Sequence, residues 1–269
     1  MEYGININYF KKALSLEKAV ELIAKAGFTQ LDYTPPVQED NWKEQMLEAA
    51  ALFRAYGLSV HQTHSPFNRY GRYGDQHKLC IDRCAEATEY LGAKFMVAHG
   101  DEFDYANLIF SPEAALAYNH DYYLPYVERA AKNGYKIAFE TVFDDSMGRR
   151  FTSQADELMG LITSYNSDTV VCCWDFGHAN VTFRREAPAI LRRFGALVQC
   201  MHLHDNTGVD AHQLPMTGDI NWQETMSVLH EIGYTGIMSI EYSHGAMPEH
   251  LAAGLIDLTY RTAKHLWEM

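Results

Sequence analysis

At 269 residues, 47% hydrophobic and 21% charged, the chain has the composition of a globular protein and the length of one closed α/β barrel, which excludes a disordered or fibrous protein. A formal net charge of -13 repels phosphate backbones and argues against nucleic acid as a partner, leaving a small polar molecule as the better fit. No apolar run approaches the roughly 20 residues that cross a bilayer, and Met1-Glu2-Tyr3 opens without a basic and then hydrophobic leader, so the expectation is a cytoplasmic protein with no membrane association.

Short β-rich runs alternate with longer segments of helical periodicity along the chain. Strands are predicted at 4–8, 30–33, 58–63, 95–98, 136–139, 170–174, 197–203 and 236–240. About eight βα units close a barrel, so the predicted fold class is α/β, a (β/α)8 TIM barrel with residues 1–269 in a single domain. The first helix is bracketed by Ser15 as N-cap and Gly27 as stop, and Gly233 is expected to end the last-but-one helix in the same way. No Pro/Ser/Gly-rich linker breaks the pattern. The stretches 68–77 and 100–112 read as the longest loops, and in a barrel the loops after strands form the catalytic face. Cys80, Cys84, Cys172, Cys173 and Cys200 have no structural-zinc spacing and are expected as buried free thiols.

Histidine and acidic residues gather where the predicted strands stop. His64 follows strand three, His99 ends strand four and Glu140 ends strand five, while Asp175 and His178 follow strand six. His202 and His204 lie on strand seven, Asp210 and His212 in the loop after it, and Glu241 ends strand eight. Carboxylates and imidazoles together suit Mn, Zn, Co or Mg, so a divalent metal ion is the expected cofactor. Such an ion polarises a carbonyl and orients a polyol. His202 and His204, two apart on a strand, point to the same face, and spacing does not assign which is the ligand. Asp205 and Asn206 are expected to position those imidazoles from behind, and His204 also reads as a supporting residue. His61 reads as structural, His77, His120, His230, His250 and His265 as surface residues, and His244 stays open.

With these residues in place, the chain resembles the xylose-isomerase-like TIM barrels, which include sugar isomerases, sugar epimerases and the endonuclease IV group. The resemblance spans nearly the whole length. It implies a metal held by Glu140 in Ala-Phe-Glu-Thr, Asp175 in Trp-Asp-Phe-Gly-His, His202 in Met-His-Leu-His-Asp and Glu241 in Ser-Ile-Glu-Tyr. It also implies catalysis by Glu140 and Glu241 from opposite sides of a sugar, exchanging protons with carbon through an enediolate. His178 matches a histidine that contacts a substrate oxygen, and His64, His99 and His204 are expected beside it at the substrate. The segment 202–215 followed by Gly218-Asp219-Ile220-Asn221-Trp222 is similar to sugar phosphate isomerase members.

The implied activity is a metal-dependent isomerase or epimerase of a small sugar or sugar phosphate. Two alternatives stay open: a zinc phosphodiesterase of the endonuclease IV kind, and a lyase or dehydratase on the same scaffold. The first would enlist His64, His99, His178, Asp210 and His212 as additional metal ligands. Against it, Asp-Phe-Gly-His and His-Leu-His-Asp depart from the Asp-Thr-Cys-His and His-Leu-Asn-Asp of that group, and the charge is acidic. Tyr9, Phe10, Tyr33, Phe67, Tyr70, Tyr73, Phe143 and Trp222 are candidate pocket walls. Arg69, Arg72, Arg149, Arg150, Arg184 and Arg185 are candidates for an anionic substrate group, and a homo-oligomer is expected.

Overall fold

A computed structural model describes residues 1–10, 13–67, 74–105, 107–146, 148–243 and 248–269. Tyr70, Tyr73, Arg69, Arg72 and His244 lie outside the described residues. Eight parallel strands form the barrel: β1 (Tyr3–Asn6), β2 (Gln30–Tyr33), β3 (Ser59–His64), β4 (Phe95–Ala98), β5 (Lys136–Glu140), β6 (Val170–Asp175), β7 (Val198–His202) and β8 (Met238–Ile240). Neighbours pair in sequence order and β8 pairs with β1. The seam between β7 and β8 is closed at its top, where Leu203 N–H donates to Ser239 O at 2.8 Å and Glu241 N–H to Leu203 O at 2.9 Å. Closure thus falls beside two predicted site residues, His202 and Glu241.

The helices around it are α1 (Leu16–Ala26), α2 (Trp42–Ala55), α3 (Gly74–Leu91), α4 (Pro112–Asn133), α5 (Ala155–Ser164), α6 (Phe176–Phe183), α7 (Ala187–Phe194), α8 (Trp222–Glu231) and α9 (Glu249–Trp267). Local chemistry sets their ends. Ser15 Oγ accepts from Lys18 N–H at the start of α1, and Gly27 at φ 108° stops it, because a left-handed residue satisfies a terminal carbonyl without Cβ strain. Gly233 at φ 69° does the same after α8. The buried face of α1, from Ala19, Val20, Leu22 and Ile23, packs against the outside of the barrel.

Inside the barrel, Phe95, Val97, Ala138, Val171, Cys173 and Cys200 make an apolar layer. Side chains two apart on a strand share a face, so the next inward positions above Ala138, Cys173 and Cys200 are Glu140, Asp175 and His202. The strand period therefore carries three ionisable groups into one layer at the strands' carboxyl ends. All five cysteines are buried and free.

Several expectations need correction. β1 ends at Asn6, and the chain turns at once into a 3-10 turn over Ile7–Phe10 instead of extending to residue 8. Residues 74–77 of the predicted loop 68–77 belong to α3, and 68–73 lie outside the described residues; the connection over 203–221 is longer than either predicted long loop. His77 is 3% exposed, not a surface residue. Its Nε2–H donates to Pro66 O at 2.9 Å and its Nδ1 meets Tyr122 Oη, so it ties the loop after β3 to α4.

Candidate active site

Every described site position predicted above, apart from the outlying aromatic and arginine candidates discussed below, converges on the carboxyl end of the barrel. Glu140, 1% exposed, is the hub. Its Oε1 lies 2.9 Å from His202 Nδ1 and 3.4 Å from His178 Nδ1, and its Oε2 lies 3.0 Å from His99 Nε2 and 3.2 Å from His64 Nε2. Burial pushes the Glu140 carboxyl up, but the charge of His202 and the close imidazoles of His178, His202 and His64 outweigh it and hold the group well below the usual carboxylate range.

Glu241, on the opposite side of His202, is less enclosed by imidazoles. Its Oε2 is 3.5 Å from His202 Nδ1 and 3.8 Å from His212 Nδ1, while Oε1 accepts from the Asn6 amide at 3.1 Å. Asp175 is the N-cap of α6: Oδ1 accepts from His178 N–H at 2.7 Å and faces His204 Nε2 at 2.9 Å. One carboxylate thus starts a helix and fixes an imidazole at the same time.

His178 Nδ1–H donates to Thr141 O at 2.9 Å, which leaves Nε2 to point toward Asp210 at 3.9 Å. Asp210 faces His212 Nε2 at 3.4 Å. Burial raises the Asp210 carboxyl, but the adjacent His212 imidazole and neighbouring histidines bring it down to about 2; burial lowers His212, but Asp210 and Glu241 bring it up to about 9. His212 holds a left-handed backbone, φ 42°, unusual for a residue with a side chain and a mark of strain kept at a functional site.

The donors fall into groups with the geometry of cation sites. Glu140, Asp175, His202 and Glu241 have ligand atoms all within 4.8 Å of one another, as do Asp32, His64, His202 and Glu241, as do His64, His99 and Glu140, and as do His178, His204, Asp210 and His212. His64 Nε2 and His99 Nε2 approach to 3.2 Å, and Glu140 Oε2, Asp210 Oδ1 and His204 Nδ1 are buried without hydrogen-bond partners. Buried lone pairs that converge without protons to share are what a divalent ion satisfies, so the residues fit a metal.

A cavity of about 410 Å³ opens onto this cluster, with Glu140, His178, Asp210, His212 and Glu241 in its wall. A second, of about 640 Å³, runs over the loops after β1 to β3 and shares Tyr9, His64, Phe67 and Glu241 with the first. His64 and His178 therefore reach the space a substrate would fill. His99 and His204 do not: Phe67 stacks over His99 at 3.5 Å, and His204, 0% exposed, lies behind Asp175 with its ring stacked on His212 at 3.9 Å. Neither lines a described cavity, so the expected substrate contact is absent from the described residues for both. His61, buried against Phe95, joins none of the described ligand groups.

Of the candidate aromatic walls, Tyr9, Phe67 and Phe143 line the cavity. Phe10, Tyr33 and Trp222 are core residues instead. Among the described arginines only Arg150 borders the cavity; Arg149 pairs with Glu157 and Arg184 with Asp219, and Arg184 and Arg185 line a separate depression beside α6 and α7.

Asp205 does not touch the metal-site imidazoles as expected. Its Oδ1 accepts from Asn206 and Ile220 N–H, and its Oδ2 from Met216 N–H and Trp222 Nε1–H at 2.8 Å. Gly218 fits against it because a Cβ there would overlap the carboxylate, just as a Cβ at Gly177 would overlap the His204 ring. Asn206 turns away too, donating to Gly177 O.

The role given to Asp205 belongs to residues that the sequence reading missed. Asp32 Oδ2, 0% exposed, lies 2.8 Å from His202 Nε2 and accepts from Gln62 at 3.2 Å and Asn6 at 3.4 Å. Asp32 thereby holds the far nitrogen of His202, directing Nδ1 to the carboxylates. A polar residue on the inward face of a barrel strand was the available signal.

A family model described as xylose isomerase-like TIM barrel matches residues 20–261. An uncharacterized protein of Methanocaldococcus jannaschii is 33% identical over 119 residues, 43% of this chain and 39% of that relative, so the match spans well under half of its length. Among solved structures, a D-psicose 3-epimerase crystallised in the presence of D-fructose superposes with TM-score 0.77 at 15% identity, covering 98% of this chain and 97% of the other. The IolI protein with a bound zinc atom superposes with TM-score 0.76 at 19% identity, covering 99% and 96%. At these identities the superpositions establish the fold.

Proposed function

The chain belongs to the xylose isomerase-like TIM-barrel family, and from that premise we propose that it is a metal-dependent isomerase or epimerase of a small sugar or sugar phosphate. The observation that carries this reading is that Glu140 and Glu241 both come within 3.5 Å of His202 Nδ1 and both stand in the wall of one cavity. Glu140, Asp175, His202 and Glu241 would hold the ion, which supplies polarisation of a carbonyl oxygen when bound.

Glu241 is the better placed base. It borders both cavities and its Oε1 is held by one neutral amide, whereas both Glu140 oxygens face imidazoles within 3.4 Å. In the proposed step a carboxylate takes the proton from the carbon beside the carbonyl, the C–H electron pair forms a C=C bond, and the carbonyl π pair moves to the oxygen to give an enediolate. The opposing carboxyl returns a proton, to the other face of that carbon in an epimerase or to the neighbouring carbon in an isomerase. His178 and His64 are placed to hold substrate hydroxyls. The occurrence of this fold in a D-psicose 3-epimerase and in a zinc-bound IolI protein supports the reading.

A second reading is favoured by the ligand groups themselves. Glu140 belongs to two of them, and a third sits around Asp210, an arrangement suited to several zinc ions and phosphodiester hydrolysis. Elemental analysis of protein purified without chelator, followed by NMR in deuterated water with ketoses, aldoses and their phosphates, separates the two. About one Mn, Co, Zn or Mg with deuterium entering a sugar carbon, lost on chelation and restored by metal, is the expected result. About three zinc ions, no exchange and cleavage of abasic DNA would replace the first reading with the second.

A further inference from the structure

The cavity wall contains a guanidinium that proton transfer does not use. Arg150 is 2% exposed, yet it borders the cavity that holds Glu140 and Glu241. Its Nε–H donates to Asp101 Oδ2 at 2.7 Å, and Asp101 is 1% exposed. The Nη2 atom lies 2.7 Å from the same oxygen but off the hydrogen-bonding line, so its N–H bonds have no hydrogen-bond partner. Phe67 covers one face, with its ring centroid 4.8 Å from the guanidinium carbon, and the far side of that ring stacks on His99. Backbone fixes the base of the side chain: Arg150 N–H donates to Asp144, and Thr152, two residues on, holds φ 71°.

We infer that Arg150 is an anion-binding subsite, so that the substrate carries an oxyanion, a phosphate ester or a carboxylate, at a distance from its reacting carbon. Burying a guanidinium costs several kcal/mol unless it is paired, and one carboxylate oxygen satisfies only part of its five N–H donors. The guanidinium that borders the cavity is a planar group held rigid by Asp101 and Phe67, which is the form of donor that recognises carboxylate and phosphate oxygens. A neutral polyol needs no permanent cation. The remaining ionisable groups in the described wall are carboxyls and histidines, so Arg150 is its one fixed positive charge among the described residues.

This inference rests on the proposed function for where the reacting carbon lies, but the subsite can be tested without turnover. Inorganic phosphate is titrated into the metal-loaded protein at constant ionic strength, and its dissociation constant is read by calorimetry and 31P NMR. Arg150→Gln should weaken binding about 10- to 100-fold with metal content and circular dichroism unchanged, and Arg150→Lys should recover part of the loss. If Arg150→Gln misfolds because Asp101 is left bare, the pair Asp101→Asn/Arg150→Gln keeps the contact as neutral amides and must show the same weakening. Folded, metal-replete Arg150 variants that bind phosphate within about twofold of wild type would overturn the subsite and place the anion on the metal alone.

Two further arms separate what has failed. Competition of phosphate by hexuronates and by hexose phosphates tells which oxyanion the fork prefers. Deuterium exchange into neutral ketoses with no Arg150-dependent phosphate binding sinks the subsite and spares the proposed reaction. Arg150-dependent binding with no exchange in any sugar does the reverse.

Discussion

Two walls meet at His202, and they hold its two nitrogens by different chemistry. The wall from β5, β6 and β8 sets Glu140, Asp175 and Glu241 within 3.7 Å of Nδ1, a cluster of charges at strand ends. The wall from β1 to β3 sets Asp32 on Nε2, with Asn6 and Gln62 donating to the same carboxylate from within the strands. The first wall has more lone pairs than protons and suits a cation. The second is an amide and carboxylate network in which Asn6 and Gln62 both donate to Asp32 Oδ2, and those hydrogen bonds fix its geometry. A site of this kind needs one side that is chemically unsatisfied and one that is rigid.

The largest expected effects come from breaking the first wall. Glu140→Gln should lower proton exchange by about 10³-fold or more and also strip most of the metal, because both Glu140 oxygens face imidazoles of the candidate ligand groups within 3.4 Å. Glu241→Gln should lower exchange to a similar extent while retaining more metal, as only one of its oxygens faces His202 closely. Full exchange in both variants, measured by NMR beside elemental analysis, would remove the mechanism; equal metal loss in both would remove the asymmetry between them.

A change in the second wall should act more mildly and through affinity. Asp32→Asn keeps volume but leaves His202 Nε2–H a weaker partner, and is expected to weaken metal binding about 10- to 100-fold in competition with a chelating dye, with little change in fold. Affinity equal to wild type would mean that Asp32 serves only to fill the barrel.

The smallest effect lies where packing alone supports the first wall. Gly177→Ala forces a methyl into the His204 ring behind Asp175 and should cost about 1–3 kcal/mol, lowering Tm by about 2–4 °C per kcal/mol for a domain of this size. An unchanged Tm would show that His204 has room to move.

How far these walls were legible depends on their chemistry. The eight βα units were readable because buried parallel strands are short apolar runs and helix ends carry Ser15 and Gly27 as punctuation. Glu140, Asp175, His202 and Glu241 stood out because a charge that follows an apolar run is conspicuous. Asp32, Asn6 and Gln62 were hidden because each lies inside a strand, where a polar residue reads as solvent-facing until barrel closure turns it inward. His77 was missed for a related reason: helical position does not tell that its ring reaches Pro66. The expected link from Asp205 to the imidazoles failed because adjacency in sequence is not adjacency in space; alternation sends Asp205 away from His204 to collect N–H groups from residues 206–222.

That loop anchor has a consequence of its own. One carboxylate binds the beginning, middle and end of the segment 205–222, and an antiparallel bridge between Asp205 and Gln213 closes the turn that carries Asp210 and His212. The segment is therefore a cassette with fixed feet. Its fixed feet hold Asp210 and His212 over the mouth of the cavity from a single buried carboxylate, so one side chain ties nineteen residues of connection to the rim of the barrel in one piece.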